Sequence, residues 1–332
     1  MNKFKAEVAV IGSGSWATGI VKLLSENCNS ISWYIREPEI ISHLKEHGHN
    51  PRYLSGANLD LDKLNICDNI NDAVDSAETI IFVVPSAFLK DTLSKLKSDI
   101  SGKTICSAIK GIVPENNTIV GEFLHNQYSV PFENLVVLSG PTHAEEIAME
   151  KLSYLTVAAL QSDKAKKVAA LLDCFYLNTI ISNDIFGTEY AAVLKNIYAI
   201  AVGVTHGLGY GDNFQAVLIS NAAREMKRFI KKIYKKKRNI TASAYLGDLL
   251  VTAYSQFSRN RMLGNMLGKG SSVKYALLNM TMVAEGYYAS KCIYAINKNV
   301  GAKIPIADAM YNILYNGVNP AEEIEKIRGL LK

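Results

Sequence analysis

Hydrophobic positions in the first half of the chain form short, nearly continuous runs, separated by stretches in which apolar residues recur at helical spacing. Such runs are typical of strands buried on both faces, and strands that alternate with helices predict a parallel, doubly wound sheet. The predicted strands are Val8–Ile11, 31–35, 79–84, 103–109 and 134–139, with 154–159 and 178–182 near the sheet edge. The first half therefore has the pattern of an α/β domain.

The pattern changes to long helices after Phe186-Gly187. We therefore predict two domains: a Rossmann-type dinucleotide-binding domain over residues 1–186, and an all-α substrate and catalytic domain over residues 187–332. No window holds 18 uninterrupted apolar residues, so no transmembrane helix is expected. The first residues, from Met1 to Lys5, run straight into the first predicted strand and leave no room for a signal peptide.

A glycine turn, Gly12-Ser-Gly14, separates the first predicted strand from the first predicted helix. Gly12 permits the tight turn, Gly14 lets the backbone approach a pyrophosphate, and the amides at the helix N-terminus meet its negative charge. The third glycine of the G-x-G-x-x-G pattern is Ala17 here, which the pattern tolerates. The alternative is a strand–helix turn that binds nothing, but the position directly after a strand favours a dinucleotide.

The end of the second predicted strand bears on the choice between NAD and NADP. An acidic residue at this place holds the ribose 2′-hydroxyl of NAD, whereas an arginine accommodates the 2′-phosphate of NADP. Here Arg36 comes first and Glu37 follows. Arg36 favours NADP, Glu37 keeps NAD open, and a solvated turn is the third interpretation.

Turn-rich segments follow the other predicted strands. In parallel sheets the ligand crevice lies at the carboxyl ends of the strands, and Pro85-Ser86, Lys110-Gly111 and Gly140-Pro-Thr142 all fall there. Lys110 can neutralise a phosphate or a developing oxyanion, although it can also be an ordinary loop lysine. Thr142 and Glu145 predict a capping box for a helix that begins near His143.

Two charged residues interrupt apolar helical patterns in the second half. Lys195, followed by Asn196, lies in the middle of a predicted helix that is apolar all round, and such a helix is buried. Burial lowers the pKa of a lysine and suits it to proton transfer, but a structural salt bridge or a snorkelling side chain is equally compatible. Asp248 repeats the pattern and is an available counter-charge for Lys195.

The segment Ser258-Arg-Asn-Arg261 opens another predicted helix. A hydroxyl, two guanidiniums and an amide beside a helix N-terminus form a strong anion site, and a surface capping sequence is the alternative. Further on, Glu285 precedes a glycine in an apolar helical context.

Composition narrows the classes of partner. The chain has 332 residues and a formal net charge of +5, which suits small anionic substrates and does not argue for nucleic acid. Its five scattered cysteines are typical of free thiols in a reducing cytoplasm. We expect no metal site, because the nearby histidines His43, His47 and His49 lack a completing ligand. The basic residues from Lys227 to Arg238, which include the lysine-rich stretch 231–238, are interpreted as a solvated helix face, and a membrane-surface or nucleic-acid patch is the alternative.

Taken together and in order, these motifs resemble the bacterial NAD(P)-dependent sn-glycerol-3-phosphate dehydrogenase family. The resemblance covers nearly the whole chain, and the Lys-Asn, Gly-Asp-Leu and Ser-Arg-Asn-Arg segments are its most specific parts. The matching segments are Gly-Ser-Gly-Ser-Trp at 12–16, Val-Val-Pro-Ser at 83–86, Lys-Gly at 110–111, Ser-Gly-Pro-Thr at 139–142, Leu-Lys-Asn at 194–196, Gly-Leu-Gly-Tyr-Gly-Asp-Asn at 207–213, Leu-Gly-Asp-Leu at 246–249, Ser-Arg-Asn-Arg at 258–261 and Glu-Gly at 285–286.

The resemblance implies reversible reduction of dihydroxyacetone phosphate to sn-glycerol 3-phosphate, the backbone precursor of glycerophospholipids, with NAD or NADP as cofactor. It makes Lys195 the general acid/base, with Asp248 and Lys110 in the same polar cluster. It implies substrate contacts from Lys110, Lys195, Asp248, Gly140, Thr142, Ser258, Arg259 and Asn260. It implies cofactor contacts from Gly12, Gly14, Ser15, Trp16, Arg36, Lys110, Ala144, Arg259, Val283 and Glu285.

One stretch departs from the family. An arginine followed by glycine is common on the helix after the Gly-Asp-Asn loop, whereas this chain has Asn221-Ala222, with Arg224 nearly a turn later. Two alternatives to the implied activity stay open: another dehydrogenase of a phosphorylated or carboxylated hydroxy compound, and a non-enzymatic NADP-sensing module. Oligomeric state is also open, and a homodimer is compatible with the sequence.

Overall fold

A computed structural model describes residues 5–280 and 282–332. The segment Met1–Phe4, on which the expectation of no signal peptide partly rests, lies outside the described residues. The chain forms two compact units. The first contains the residues up to Ile109 together with Val120–Ile185, and the second contains Lys110–Ile119 together with Phe186–Lys332.

The first unit is an α/β unit. Its strands are β1 (Val8–Ile11), β2 (Ile31–Tyr34), β3 (Leu64–Cys67), β4 (Thr79–Phe82), β5 (Thr104–Ser107), β8 (Leu135–Ser139), β9 (Ser153–Ala159) and β10 (Leu177–Ser182). Its helices are α1 (Ser15–Asn27), α2 (Pro38–His47), α3 (Ile70–Ser76), α4 (Leu89–Leu93), α5 (Val120–Tyr128), α6 (Ala144–Ala148) and α7 (Ser162–Leu172).

The second unit is mainly helical. A short hairpin of β6 (Ile112–Val113) and β7 (Thr118–Ile119) comes first along the chain. The helices are α8 (Ile185–Gly207), α9 (Asp212–Ile233), α10 (Asp248–Tyr254), α11 (Arg259–Gly268), α12 (Val273–Leu278), α13 (Glu285–Val300), α14 (Pro305–Tyr315) and α15 (Pro320–Arg328). The predicted fold class, a doubly wound sheet followed by an all-helical region, is confirmed.

The eight-stranded sheet has the order β10-β9-β8-β5-β4-β1-β2-β3. All neighbours are parallel except β8 and β9, which are antiparallel. Strand β1 pairs with β2 on one side and β4 on the other, and its four residues are apolar, which suits a strand that is buried within the sheet. The direction of winding therefore reverses beside β1, and open α/β sheets bind their ligands at such a reversal.

Helix α8 is the centre of the second core. Nearly every residue from Tyr190 to Val202 is buried, so this helix packs against neighbours on all sides. Four glycines let α11 approach it at backbone contact. A Cβ on Gly203 would lie 2.1 Å from the Arg261 carbonyl oxygen, and one on Gly264 would lie 2.1 Å from the Ile200 carbonyl oxygen. Gly207 and Gly268 meet in the same way one turn later.

Residues 110–119 cluster with the helices rather than with the sheet that precedes them in the chain. The cause is apolar burial, because Ile112 and Ile119 are fully buried in the helical core. Lys110 at the start of this segment thereby joins the second unit. In the described part of the chain, no helix is both long and apolar enough to cross a membrane.

Candidate active site

The glycine turn after β1 has room for a ligand on one side only. Gly12 has φ +133°, and a Cβ on it would lie 2.4 Å from the Val83 carbonyl oxygen, so only glycine fits. Gly14 is the N-cap of α1, and a Cβ placed there would meet nothing within 4 Å. The open side of the turn therefore lies at Gly14.

The first turn of α1 suits an anion. Its N-cap residue makes no side-chain capping bond, and no acidic residue occurs in the first turn. The amides at this end carry the positive pole of the helix and need an acceptor. The predicted cofactor residues Ser15 and Trp16 are the first two residues of α1. The residues present thus fit the pyrophosphate of a dinucleotide.

The end of β2 meets the glycine turn through Glu37 rather than Arg36. One Glu37 carboxylate oxygen accepts a 2.7 Å hydrogen bond from the Ser13 hydroxyl, and the other pairs with Arg36 at 3.1 Å. The Arg36 side chain is 57% exposed and carries its charge beside that carboxylate. Trp33 of β2 donates its indole N–H to the Gly12 carbonyl at 2.6 Å. Arg36, the candidate for the 2′-phosphate of NADP, and Glu37, the candidate for the ribose 2′-hydroxyl of NAD, therefore both lie at the end of β2, and Glu37 is bonded to the glycine turn.

The other predicted residues of the first unit follow β8. Gly140 has φ +143°, and a Cβ on it would lie 2.8 Å from the Tyr154 carbonyl oxygen. The buried Thr142 hydroxyl donates to the Gly140 carbonyl, and Ala144 is the first residue of α6. The predicted Thr142–Glu145 capping box is wrong. His143, not Thr142, is the N-cap of α6 and makes no side-chain capping bond. The Thr142 hydroxyl instead donates to the Gly140 carbonyl of its own loop.

The second unit brings together Lys195, Asp248 and Lys110. The Lys195 ammonium lies 2.5 Å from the Asp248 Oδ1, and the Lys110 ammonium lies 3.8 Å from the same oxygen. Lys195 is 4% exposed and Asp248 is 1% exposed, whereas the Lys110 side chain is 19% exposed. Asp248 begins α10 directly after a π-helical turn, Ser243–Gly247, a conformation frequent at functional sites. One buried carboxylate thus faces two ammonium groups.

Lys195 has an unusual proton affinity for a lysine. Its pKa is lowered from 10.5 to about 7: burial has the largest effect and lowers it, Asp248 opposes this by stabilising the ammonium, and Lys110 contributes to the lowering. A lysine with a pKa of about 7 exchanges its proton near neutral pH, which is what a general acid/base requires. The cluster can therefore donate a proton to a carbonyl oxygen and stabilise negative charge on it.

Asn196 links the loop of Lys110 to two helix N-termini. Its amide nitrogen donates to the Lys110 carbonyl at 2.6 Å and to the Ala192 carbonyl at 3.1 Å, while its oxygen accepts from the Asn260 amide at 2.9 Å. The Asn260 oxygen in turn accepts from the backbone N–H of Gly286 at 2.9 Å. Asn260, predicted as a phosphate ligand, thus has its amide oxygen and one amide N–H engaged within the protein.

The predicted phosphate residues lie at the start of α11. Ser258 is the N-cap, and its hydroxyl oxygen accepts from the Arg261 backbone N–H at 3.3 Å. Arg259, the first residue of α11, is half-buried, and no acidic residue occurs in the first turn. The segment therefore combines both interpretations made from the sequence: it caps the helix and it presents a cation at the positive pole.

The last predicted cofactor residues precede or begin α13. Val283 is half-buried, and Glu285 is the first residue of the helix, next to the Gly286 that Asn260 binds. A Cβ on Gly286 would lie 2.6 Å from the Asn196 carbonyl oxygen. The N-terminus of α13 is therefore held directly against α8.

Asn221 explains one departure from the family pattern. Its amide donates to the Val217 carbonyl and to the Lys332 carbonyl, and its oxygen accepts from the Lys332 backbone N–H. Arg224 also donates to the Lys332 carbonyl. In this chain, Asn221 stands at the place of the usual arginine and binds the backbone of Lys332.

Some contacts were not predicted from the sequence. Trp33 and Glu37 hold the glycine turn, Asn50 contacts it from a loop, and Asn196 relays between three segments. Asn196 was conspicuous as a polar residue in an apolar helix, and that signal could have suggested a buried network. The contacts of Trp33, Glu37 and Asn50 join residues that are far apart in the chain, so no local sequence pattern could predict them.

Comparison with known proteins places these features in a family. Residues 7–165 match the N-terminal domain of NAD-dependent glycerol-3-phosphate dehydrogenase, and residues 184–325 match its C-terminal domain. Glycerol-3-phosphate dehydrogenase [NAD(P)+] of an Exiguobacterium species is 36% identical over 324 residues, covering 97% of this chain and 95% of the relative. The Clostridium botulinum enzyme of the same name is 31% identical, covering 97% of each chain.

A solved structure supports the same assignment. The crystal structure of glycerol-3-phosphate dehydrogenase from Coxiella burnetii superimposes with a TM-score of 0.89 at 26% identity, over 98% of this chain and 99% of that one.

The buried pair makes a pH-dependent stability prediction. Asp248→Asn removes the group that raises the pKa of Lys195, so the variant's native state binds fewer protons below about pH 7 than the parent does. The loss in free energy of unfolding should therefore grow as the pH falls below about 7, towards about 3–5 kcal/mol. It should be smallest near pH 9, where Lys195 is neutral in both proteins. Denaturant titrations at several pH values measure this.

Glu325→Gln is the control, because it breaks the exposed 2.7 Å pair with Arg328 and should cost less than about 1 kcal/mol at every pH. A loss for Asp248→Asn that did not vary with pH would show that the charge on Lys195 plays no part.

Proposed function

This chain belongs to the NAD-dependent glycerol-3-phosphate dehydrogenase family, and we propose that it reduces dihydroxyacetone phosphate to sn-glycerol 3-phosphate with NAD(P)H. The reverse oxidation uses the same groups. The observation that carries the proposal is the buried Lys195–Asp248 pair with Lys110 beside it. A binding module needs no lysine buried in an apolar helix with a pKa near neutrality.

Cofactor binding is assigned mainly to the dinucleotide-binding domain predicted over residues 1–186. Gly12 and Gly14 let the backbone approach the pyrophosphate, and the N–H groups that open α1 at Ser15 and Trp16 face its charge. When bound, NAD(P)H supplies the hydride that adds to the C2 carbonyl carbon. Arg36 is assigned to the 2′-phosphate of NADP. The other cofactor contacts are assigned as the sequence predicts them, to Lys110, Ala144, Arg259, Val283 and Glu285.

Proton transfer is assigned to the catalytic domain predicted over residues 187–332, together with Lys110. The Lys195 ammonium hydrogen-bonds the C2 oxygen, stabilises the negative charge that develops there, and donates the proton that completes the alcohol. Asp248 keeps the buried lysine charged until that moment. Lys110 adds a second positive charge to the same cluster. In the oxidation, neutral Lys195 accepts the proton of the C2 hydroxyl.

The substrate phosphate is assigned to the start of α11. Arg259 supplies a charge-assisted hydrogen bond, the Ser258 hydroxyl can donate while its oxygen caps the helix, and the free N–H groups of the first turn add to the attraction. Asn260 retains a proposed role here through its second amide N–H. Gly140 and Thr142 of the first unit are proposed as further substrate contacts.

The cellular setting is also a proposal. A cytoplasmic location is supported by the free state of Cys28, Cys67, Cys106, Cys174 and Cys292. The product suits the synthesis of glycerophospholipids. A homodimer is supported by large apolar side chains that stay exposed on the second unit, among them Tyr275 and Leu278.

Replacing the acid/base group should abolish most of the turnover. Lys195→Met keeps the length and apolar character of the side chain, so α8 should still pack, while turnover of dihydroxyacetone phosphate should fall at least about a hundredfold. In the parent, kcat/KM for reduction should decline as the pH rises above about 7, because Lys195 loses its proton. The variant should lose that dependence. NADPH oxidation followed by absorbance measures both.

Lys227→Met, an exposed lysine on α9, is the control and should keep full activity. Near-normal turnover in a folded Lys195→Met variant that still binds NADPH would make the lysine structural and the mechanism wrong.

The phosphate assignment predicts a substrate-dependent loss. Arg259→Ala should weaken binding of dihydroxyacetone phosphate by about tenfold to a hundredfold, because one charge-assisted hydrogen bond is worth about 1.5–3 kcal/mol. At saturating cofactor, turnover of unphosphorylated dihydroxyacetone should hardly change. Arg328→Ala, which breaks an exposed ion pair only, should leave both substrates unaffected. Equal losses with the two substrates would exclude Arg259 as a phosphate ligand.

The cofactor assignment predicts a loss specific to NADPH. Arg36→Ala should raise the KM for NADPH about tenfold to a hundredfold and barely change that for NADH, since only NADPH carries the 2′-phosphate. Arg52→Ala is a matched control: that side chain is also 57% exposed and also pairs with a glutamate, Glu39. Steady-state kinetics with each cofactor would refute the assignment if Arg36→Ala affected both equally.

A further inference from the structure

Asn50 is a fully buried polar residue in the loop after α2, at 0% exposure. Its amide nitrogen donates to the Ser13 carbonyl oxygen and to the Thr18 hydroxyl, both at 3.0 Å. Its amide oxygen accepts the backbone N–H groups of Arg52 at 3.1 Å and Tyr53 at 3.2 Å. The orientation of the amide is unambiguous, because a carbonyl can only accept and a backbone N–H can only donate.

These bonds fix a peptide plane in the glycine turn. The C=O of Ser13 and the N–H of Gly14 belong to one trans peptide, in which the two groups point in opposite directions. With its carbonyl held by Asn50, this peptide must aim the Gly14 N–H away from Asn50. Trp33 does the same one residue earlier, since its indole holds the Gly12 carbonyl and so orients the Ser13 N–H.

The turn needs such anchors because glycine does not supply them. Gly12 and Gly14 flank Ser13, and glycine restricts φ and ψ less than any other residue. If the Ser13–Gly14 peptide rotated, the Ser13 carbonyl would present its partial negative charge where the Gly14 N–H now lies. At a site for a doubly charged pyrophosphate, that exchange turns an attraction into a repulsion.

We propose that Asn50 is a positioning residue for the cofactor pyrophosphate, acting through the Ser13–Gly14 peptide. The proposal rests on the proposed function in one respect, namely that the ligand of this turn is NAD(P)H. Because the pyrophosphate is common to NADH and NADPH, Asn50 must matter equally for both. In this it differs from Arg36, whose proposed contact is the 2′-phosphate.

The test is direct titration of cofactor binding by nicotinamide fluorescence. Asn50→Ala should raise the dissociation constants of NADH and NADPH by the same factor, about tenfold, and leave kcat at saturating cofactor within about twofold of the parent. Arg36→Ala, titrated in parallel, should raise the NADPH constant alone. The comparison separates an effect on the shared pyrophosphate from an effect on the ribose.

Asn50→Asp covers the case in which the alanine variant fails to fold. It keeps an oxygen for the N–H groups of Arg52 and Tyr53, so the loop should stay anchored. It replaces the donor to the Ser13 carbonyl by a carboxylate oxygen, which repels that carbonyl and adds a negative charge near the pyrophosphate. Its dissociation constants should therefore rise more than those of Asn50→Ala, again equally for the two cofactors.

Asn71 supplies a matched control. Asn71 is a half-buried residue of α3 whose amide oxygen accepts two consecutive backbone N–H groups, those of Lys97 and Ser98, and whose nitrogen donates to the Lys95 carbonyl. It therefore anchors another loop by bonds of the same kind as those of Asn50. Asn71→Ala should lower the melting temperature without changing either dissociation constant.

Three results would overturn the proposal. The first is cofactor binding by Asn50→Ala or Asn50→Asp within twofold of the parent, and the second is an equal weakening by Asn71→Ala, which would indicate general destabilisation. Either of these would leave the proposed function standing. The third, a folded parent that binds neither NADH nor NADPH, would overturn both this proposal and the proposed function.

Discussion

A buried ammonium is stable only where a carboxylate meets it, and the second unit is arranged around one such pair. Helix α8 is buried on all sides, so Lys195 in its middle is almost entirely removed from water. The Asp248 carboxylate lies 2.5 Å from the Lys195 ammonium. Asp248 is the first residue of α10 and directly follows the π-helical turn, which positions its side chain. Removing water strengthens every electrostatic interaction in the cluster, so the burial that lowers the pKa of Lys195 also makes its charge effective on a reacting oxygen.

The approach of α11 to α8 depends on the absence of side chains at their crossing. Gly203 and Gly207 of α8 lie against Gly264 and Gly268 of α11 at distances where no Cβ could fit. Backbone contact of this kind brings the first turn of α11 within hydrogen-bonding distance of α8, where Asn260 meets Asn196. The proposed phosphate residues and the proposed acid/base group thus lie on two helices in backbone contact, and the packing of these glycines sets their spacing.

The sequence predicted what local patterns encode. Apolar runs located most of the sheet, and Lys195 and Asp248 stood out because a charge in an apolar helix violates its pattern. Strand β3 was not predicted, because its residues Leu64–Cys67 are only half-buried at the sheet edge and include an asparagine. The packing of residues 110–119 with the helical unit was not predicted. It depends on burial of Ile112 and Ile119 against helices distant in the chain, which leaves no local signal in the sequence. The predicted capping box at Thr142 does not form, because the Thr142 hydroxyl donates to the Gly140 carbonyl of its own loop.

Asparagine recurs where each unit must orient a backbone without adding charge. Asn50 holds the Ser13 carbonyl in the first unit, and Asn196 holds the Lys110 carbonyl in the second. A carboxylate at either place would repel the carbonyl and the anionic ligands proposed nearby, and an ammonium would provide no acceptor for the N–H groups that the amide oxygen binds. A primary amide supplies donor and acceptor together at no net charge. Its use in both units is therefore a consequence of building anion sites from oriented peptides.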